Sequence, residues 1–210
     1  MTISIVQSVF GVTSPATLGV AVGSGHAIVV VVEVGTASVT CTVSDNKGNT
    51  YTQDATVNTT GFSTSFVFSS LNVTNGPTII TATPSAGGVQ QLGVYELSSS
   101  TSSVAVDATH PYTSAFGTAL SDPGVTATAG DFAVLTMQDS AGTSLTFTQS
   151  TAWTNDLTAS DRWIYHLLPS VGGANAFAGT FSASAVGYLL AVTYKAAGSV
   201  VASNRIVMLC

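Results

Sequence analysis

Apolar and polar residues alternate in short segments along this whole chain, and no segment spaces its apolar residues as an α-helix does. Typical segments are SVTCTVS (38–44) and GYLLAVTY (187–194). A period of two puts successive side chains on opposite faces of a strand, and Val, Thr, Ile, Phe and Tyr suit a pleated surface. Many such segments, separated by Gly, Asn and Ser, predict an all-β fold, a β-sandwich of jelly-roll or Greek-key type.

One segment departs from this alternation. AIVVVVEV (27–34) is a continuous apolar run that ends with Glu33 and Val34. It is too short to cross a bilayer, which takes about 20 apolar residues. A short apolar run of this length is typical of a strand that is covered on both faces.

The two halves of the sequence resemble each other. SGHAIVVV (24–31) is similar to AGDFAVLT (129–136), so that His26 corresponds to Asp131 at the entry of a strand. A Thr-rich segment, an aromatic strand and a strand that ends in tyrosine then follow in each half. Self-similarity of this kind indicates an internal duplication.

We therefore predict one domain over residues 1–210, duplicated internally over about 1–100 and 101–196. The halves are expected to share one continuous sandwich. By the period of two, its inner faces are predicted to hold six residues of the two central strands: Ile28, Val30, Val32, Phe132, Val134 and Thr136. A strand-like tail over 197–210 is expected to seal a sheet edge or to reach a neighbouring subunit, and the N-terminal strand is a second candidate for contact between subunits.

Charged residues make up only 7% of the chain, against about 25% in ordinary globular proteins. The net charge is −6, with four Lys and Arg against ten Asp and Glu. Four scattered cations argue against binding to a nucleic-acid backbone or to an anionic membrane. The surface is therefore expected to be neutral and polar, as in extracellular material.

The chain contains two cysteines, Cys41 and Cys210, which is too few for a disulfide framework or a cysteine metal cluster. Cys41 is predicted to be a small buried hydrophobic residue. The N-terminus, MTISIVQSVFG, lacks the basic and apolar regions of a signal peptide. We expect synthesis in the cytoplasm without export.

The motif CTVSDNKGNTYTQ (41–53) crowds oxygen atoms around a glycine, as a calcium loop does. Asp45, Asn46 and Asn49 are therefore weak calcium candidates. Calcium needs six or more oxygen ligands, however, and Lys47 would oppose the ion. We predict instead a metal-free hairpin corner over 44–49, in which Gly48 takes a positive φ. No cofactor is expected.

Catalytic motifs are missing from the sequence. No nucleophile elbow, phosphate-binding loop or zinc-type histidine spacing occurs, and the three histidines lie in unrelated contexts. Glu33 and Glu96 could form the carboxylate pair of a glycosidase, but strand-end residues that reach a donor explain them more simply. Tyr112, Trp153 and Trp163 could form a platform for a glycan, or could serve core and inter-subunit packing.

Several segments together resemble a known module. TVSDNKGNTYTQ, VYELSS, VDAT and AGDFAVL occur in this order, and the order resembles a β-sandwich module of bacterial surface proteins and phage virion proteins, with the motifs DSxGNTYT, EYSG, LD and AGDLLV. The resemblance covers about residues 2–196, with departures at Lys47 and at Leu97-Ser98. It implies the sandwich fold and brings no catalytic residues with it.

These observations predict a non-enzymatic structural protein of a virion, a phage capsid decoration or cement protein. Its expected partners are further copies of itself, with a trimer favoured, and the major capsid protein. The alternative is a carbohydrate- or receptor-binding module of a phage tail or a bacterial surface protein, with a glycan as its partner.

Overall fold

The computed structural model describes residues 2–59, 61–101, 103–140, 145–168, 170 and 172–197. Within these ranges the chain forms sixteen β-strands and no helix, so nothing described here could cross a membrane as a helix. The all-β prediction is confirmed. The tail after Ala197, including Cys210, lies outside the described residues.

The first half of the chain contains eight strands: β1 (Ile3–Gly11), β2 (Ala16–Thr17), β3 (Ala27–Val34), β4 (Cys41–Asp45), β5 (Thr52–Thr59), β6 (Ser63–Ser70), β7 (Ile79–Pro84) and β8 (Val89–Ser99). The second half contains eight more: β9 (Val104–Thr113), β10 (Gly117–Ala127), β11 (Phe132–Asp139), β12 (Phe147–Gln149), β13 (Thr154–Ala159), β14 (Arg162–Leu167), β15 (Gly173–Ala185) and β16 (Gly187–Ala196).

These strands form four antiparallel sheets. The first half has a five-stranded sheet, β1-β8-β3-β6-β5, and a three-stranded sheet, β2-β7-β4. The second half has the sheets β9-β16-β11-β14-β13 and β10-β15-β12. The two halves have the same strand order: adding eight to each strand number of a sheet in the first half gives the corresponding sheet of the second half. The duplication and the jelly-roll topology themselves stay predictions.

Three apolar cores separate the four sheets. One lies between the two sheets of the first half, one between the two five-stranded sheets, and one between the two sheets of the second half. Two sandwiches are therefore packed back to back through their five-stranded sheets. The prediction that Ile28, Val30 and Val32 share the inner faces of one sandwich with Phe132 and Val134 was wrong.

The central strand β3 shows why that prediction failed. All eight of its residues are buried, as the apolar run predicted. Ile28, Val30 and Val32, however, face the three-stranded sheet of their own half. Their neighbours in between, such as Val29, contact Phe132 and the rest of the core between the halves. A strand that is covered on both faces has two apolar faces, and periodicity cannot tell which of them meets the other half.

The backbone entering the central strand is the same in both halves. Gly25 and Gly130 both have a positive φ, of 80° and 92°. The N–H of Gly25 donates to the carbonyl of Val73 (2.8 Å), and that of Gly130 donates to the carbonyl of Ser170 (3.1 Å). Only glycine adopts these φ values without strain. The similarity between SGH and AGD therefore reflects a shared turn.

Polar bonds also cross between the halves in a reciprocal way. Tyr194 Oη, in the second half, donates to Asp54 Oδ2 of the first half (2.6 Å). Tyr95 Oη, in the first half, donates to Asp156 Oδ2 of the second. Both aspartates occupy register shifts in the outermost strands β5 and β13. These bonds join the halves at both margins of their shared core.

The strands run so that the described chain ends lie together. The Thr2 carbonyl accepts from the Ser100 N–H (3.1 Å), and Ala197 N–H donates to the Ser103 carbonyl (3.0 Å). We call this the terminal end of the molecule. The central strands β3 and β11 begin at this terminal end and run away from it. The same direction is taken by β1 and β5 in the first half and by β9 and β13 in the second. The turns that follow them define the opposite, far end.

Candidate functional site

The loop that contains the weak calcium candidates is a turn that is saturated with internal hydrogen bonds. Asp45 Oδ1 accepts from the backbone N–H groups of Lys47 (2.7 Å), Gly48 (2.7 Å) and Asn49 (3.3 Å). Asp45 Oδ2 accepts from Asn49 Nδ2 (2.8 Å) and Tyr51 Oη (3.0 Å). Burial alone would raise the pKa of Asp45, but these donors together lower it below its ordinary value.

The other two calcium candidates are engaged in the same manner. Asn46 Oδ1 accepts from the N–H groups of Thr78 (3.1 Å) and Ile79 (3.3 Å), and Asn49 Oδ1 accepts from Thr74 N–H (3.3 Å). A calcium ion would have to displace all these donors. The loop instead fastens the corner to the β6–β7 connection.

The corner is not a hairpin, and this part of the prediction was wrong. Gly48 does take a positive φ of 79°. Strand β4, however, pairs with β7, and β5 pairs with β6 in the other sheet. The chain therefore crosses between the two sheets of the first sandwich at this point. Alternation identifies both strands but does not reveal that they belong to different sheets.

The three aromatic residues that could have formed a glycan platform belong to the core of the second sandwich or pack against it. Trp153 and Trp163 are 5% and 2% exposed and belong to the core of the second sandwich. Trp153 Nε1 donates to the carbonyl of Ala176 (3.0 Å). Tyr112 lies on the edge strand β9, where its hydroxyl donates to the Ser121 carbonyl (2.9 Å). The two indoles have no exposed face on which a sugar ring could stack.

Glu33 and Glu96 do not form a carboxylate pair. Both are buried in the same five-stranded sheet, but Glu33 faces the second half, where Thr136 Oγ1 donates to it. Glu96 lies on the opposite face, beside His26. The sheet separates the two carboxyl groups, so a two-carboxylate glycosidase site cannot form from them.

Glu33 belongs to a polar cluster between the halves. Arg162 Nε lies 3.7 Å from Glu33 Oε2, which is too long for a hydrogen bond. Nearby, Gln138 receives a bond from Ser63 and donates to Thr59. Burial raises the pKa of Glu33 to about 7, against the opposing effects of the Thr136 hydroxyl and the Arg162 charge.

Each of the three histidines is paired with a carboxylate. His110 Nε2 lies 2.7 Å from Asp122 Oδ1, and His166 Nδ1 lies 2.8 Å from Asp156. His26 Nδ1 lies 2.5 Å from Glu96 Oε1. The sequence did not reveal these pairs, because the partners come from distant strands or from across a turn.

Of the three pairs, His26 and Glu96 adjoin an open cavity of about 350 Å³. The cavity is lined by Ser24, Gly25, His26, Ser99 and Ser100 at the terminal end. Sequence reasoning missed this site. Its one available signal was the contrast between His26 and Asp131 in the otherwise similar segments of the two halves.

Three of the six exposed large apolar side chains of the described residues lie in turns at the far end. Phe116 is 73% exposed in the β9–β10 turn, Val12 is 51% exposed in the β1–β2 turn, and Phe62 is 48% exposed in the β5–β6 turn. Val20, which is 62% exposed, lies in the β2–β3 loop at the terminal end. Three separate turns at this end thus carry exposed apolar side chains.

Comparison of the chain with protein-family models, with curated proteins and with solved structures gave no match.

Proposed function

We propose that this protein is a non-enzymatic structural component of a phage-like virion, a capsid decoration or cement protein that is made in the host cytoplasm. We propose further that it assembles as a homo-oligomer, preferably a trimer, on the major capsid protein. The observation that carries the proposal is the polarity of the molecule, which has chain ends at one end and exposed apolar turns at the other.

The surface charge supports this assignment. Only 7% of the residues are charged, so like-charge repulsion between copies is weak. Exposed apolar side chains on such a surface favour contact with another protein. We therefore assign Phe116, Phe62 and Val12 to attachment on the capsid.

The free sheet edges support assembly between copies. The edge strand β9 contains Pro111, and the edge strand β10 contains Pro123, which cannot donate a backbone hydrogen bond to an added strand. Strand β1 is the corresponding edge of the first half and contains no proline. We propose that β1 is the edge used by a neighbouring subunit, with the segment 199–210 as its partner.

A binding experiment tests the capsid assignment. Capsids assembled from the major capsid protein encoded beside this gene would be mixed with the purified protein and sedimented. We expect co-sedimentation of the wild type and a reduced bound fraction for Phe116→Ser and Phe62→Ser. Val20→Ser is the matched control, because it also removes an exposed apolar side chain but lies at the other end.

Deletion of 199–210 tests the assembly. We expect the shortened chain to keep its melting temperature and to lose oligomers in light scattering coupled to gel filtration. A strictly monomeric wild type that binds no capsid would overturn the proposal.

The alternative function is a carbohydrate- or receptor-binding module of a phage tail or bacterial surface protein. It loses its possible aromatic platform because Trp153 and Trp163 are buried. What favours it now is the cavity beside His26.

A further inference from the structure

The imidazole of His26 is held in place by groups from three parts of the first half. Glu96 is 1% exposed and accepts hydrogen bonds from Gln7 Nε2 (2.6 Å) and Gly23 N–H (2.8 Å) as well as contacting His26 Nδ1. A Cβ at Gly23 would lie 2.6 Å from His26 Cε1, so only glycine leaves room for the ring. A carboxylate accepts hydrogen bonds, so the proton is on Nδ1 and the second ring nitrogen, Nε2, is free for another partner.

The fold itself does not require this arrangement. The second half has the same turn at the entry of its central strand, yet Asp131 replaces His26. In the first half, Glu96 lies opposite Ile28 of the central strand. At the equivalent position of the second half, Thr193 lies opposite Ala133. The second half therefore has a carboxylate in place of the imidazole and a hydroxyl in place of the Glu96 carboxylate, so the histidine–glutamate pair is absent there. Since packing does not demand the pair in the first half, a role in binding is the better explanation.

The groups around the cavity restrict the class of ligand. The lining contains no Lys or Arg, and the Glu96 carboxylate lies directly behind the imidazole, which disfavours an anion. His26 is the only metal-binding type of side chain in the lining, which is too few for a transition metal. Three of the five lining residues are serines, which disfavours an apolar ligand.

The remaining hydrogen-bonding groups suit a neutral molecule with many hydroxyls. Ser100 Oγ accepts from Thr2 N–H (3.0 Å), so its own proton is available to donate. His26 Nε2 offers an acceptor, and the Ser24 hydroxyl can both donate and accept. We infer that the cavity beside His26 is a binding site for a neutral carbohydrate, with a single sugar ring accommodated in about 350 Å³. This inference does not depend on the virion assignment.

A titration of the full-length protein with neutral hexoses and N-acetylhexosamines, followed by NMR, tests the site. The ring nitrogens of His26 should shift and saturate with at least one sugar, while those of His110 and His166 should not. Saturation at His26 supports the inference. No shift at His26 with any sugar of the panel would refute it, as would saturation there by inorganic phosphate or zinc alone.

Variants connect the binding to the named groups. We expect His26→Ala to weaken sugar binding by about tenfold or more, the usual effect of losing a hydrogen bond in a binding site. Ser100→Ala removes an exposed hydroxyl that also accepts from Thr2 N–H, and it should weaken binding as well; it serves even where His26→Ala fails to fold. His110→Ala is the matched control, because it too removes a carboxylate-paired histidine. Equal affinity for Ser100→Ala and the wild type would place the sugar elsewhere.

Discussion

Burial of Glu33 between the two halves should make this protein less stable as the pH rises through the mildly acidic range. The folded state holds the pKa of Glu33 at about 7, against 4.5 for an ordinary glutamate. Between these values the folded state retains a proton that the unfolded chain has lost. Unfolding is therefore favoured progressively from about pH 4.5 to 7 and no further above it.

The magnitude follows from the size of the shift. Each unit of pKa corresponds to about 1.4 kcal/mol, so Glu33 lowers the free energy of unfolding by about 3 kcal/mol across this range. Glu33→Gln keeps the shape and the acceptor for Thr136 but cannot ionise. Since other acids titrate as well, the measured quantity is the difference in unfolding free energy between this variant and the wild type.

Urea unfolding at a series of pH values, followed by tryptophan fluorescence, provides this difference. We expect it to move in favour of Glu33→Gln by about 3 kcal/mol between pH 4.5 and 8. The converse variant, Gln138→Glu, adds a carboxyl group at the matching position of the second half. Its free energy of unfolding should fall more steeply with rising pH than that of the wild type. A difference that stays constant with pH would refute the argument that burial holds Glu33 protonated.

Three further predictions concern the stability of the fold. Gly48→Val should cost about 1 kcal/mol or more, because the positive φ of 79° strains a β-branched residue even though no atom lies within 4 Å of the new Cβ. The control is Gly88→Val, at a glycine with equal space and no positive φ. Neither calcium nor a chelator should change the melting temperature of either variant. Tyr194→Phe should cost about 1–3 kcal/mol in urea unfolding, because the half-buried Asp54 loses a donor. An unchanged midpoint would contradict the link between the halves. Trp163→Ala should cost about 3–5 kcal/mol, and a much smaller loss of stability would mean that the indole is not in the core.

Several local properties of this protein can be predicted from its sequence. Alternation of apolar residues identifies the strands, and the run 27–34 identifies a strand that is covered on both faces. The similarity of SGH and AGD marks two equivalent turns, and Gly48 marks the corner. These features depend on a few consecutive residues, whose backbone preferences and side-chain directions act over short distances.

The tertiary structure decided which of these local pieces meet. His26 and Glu96 are 70 residues apart, and Tyr194 and Asp54 are 140 apart, so no local pattern could pair them. The same holds for β4 and β5, which are adjacent in sequence but belong to different sheets. A period of two tells which side chains share a face, but it carries no information about what covers that face. That is settled by how the four sheets stack, and this stacking buried the two indoles and placed His26 beside an open cavity.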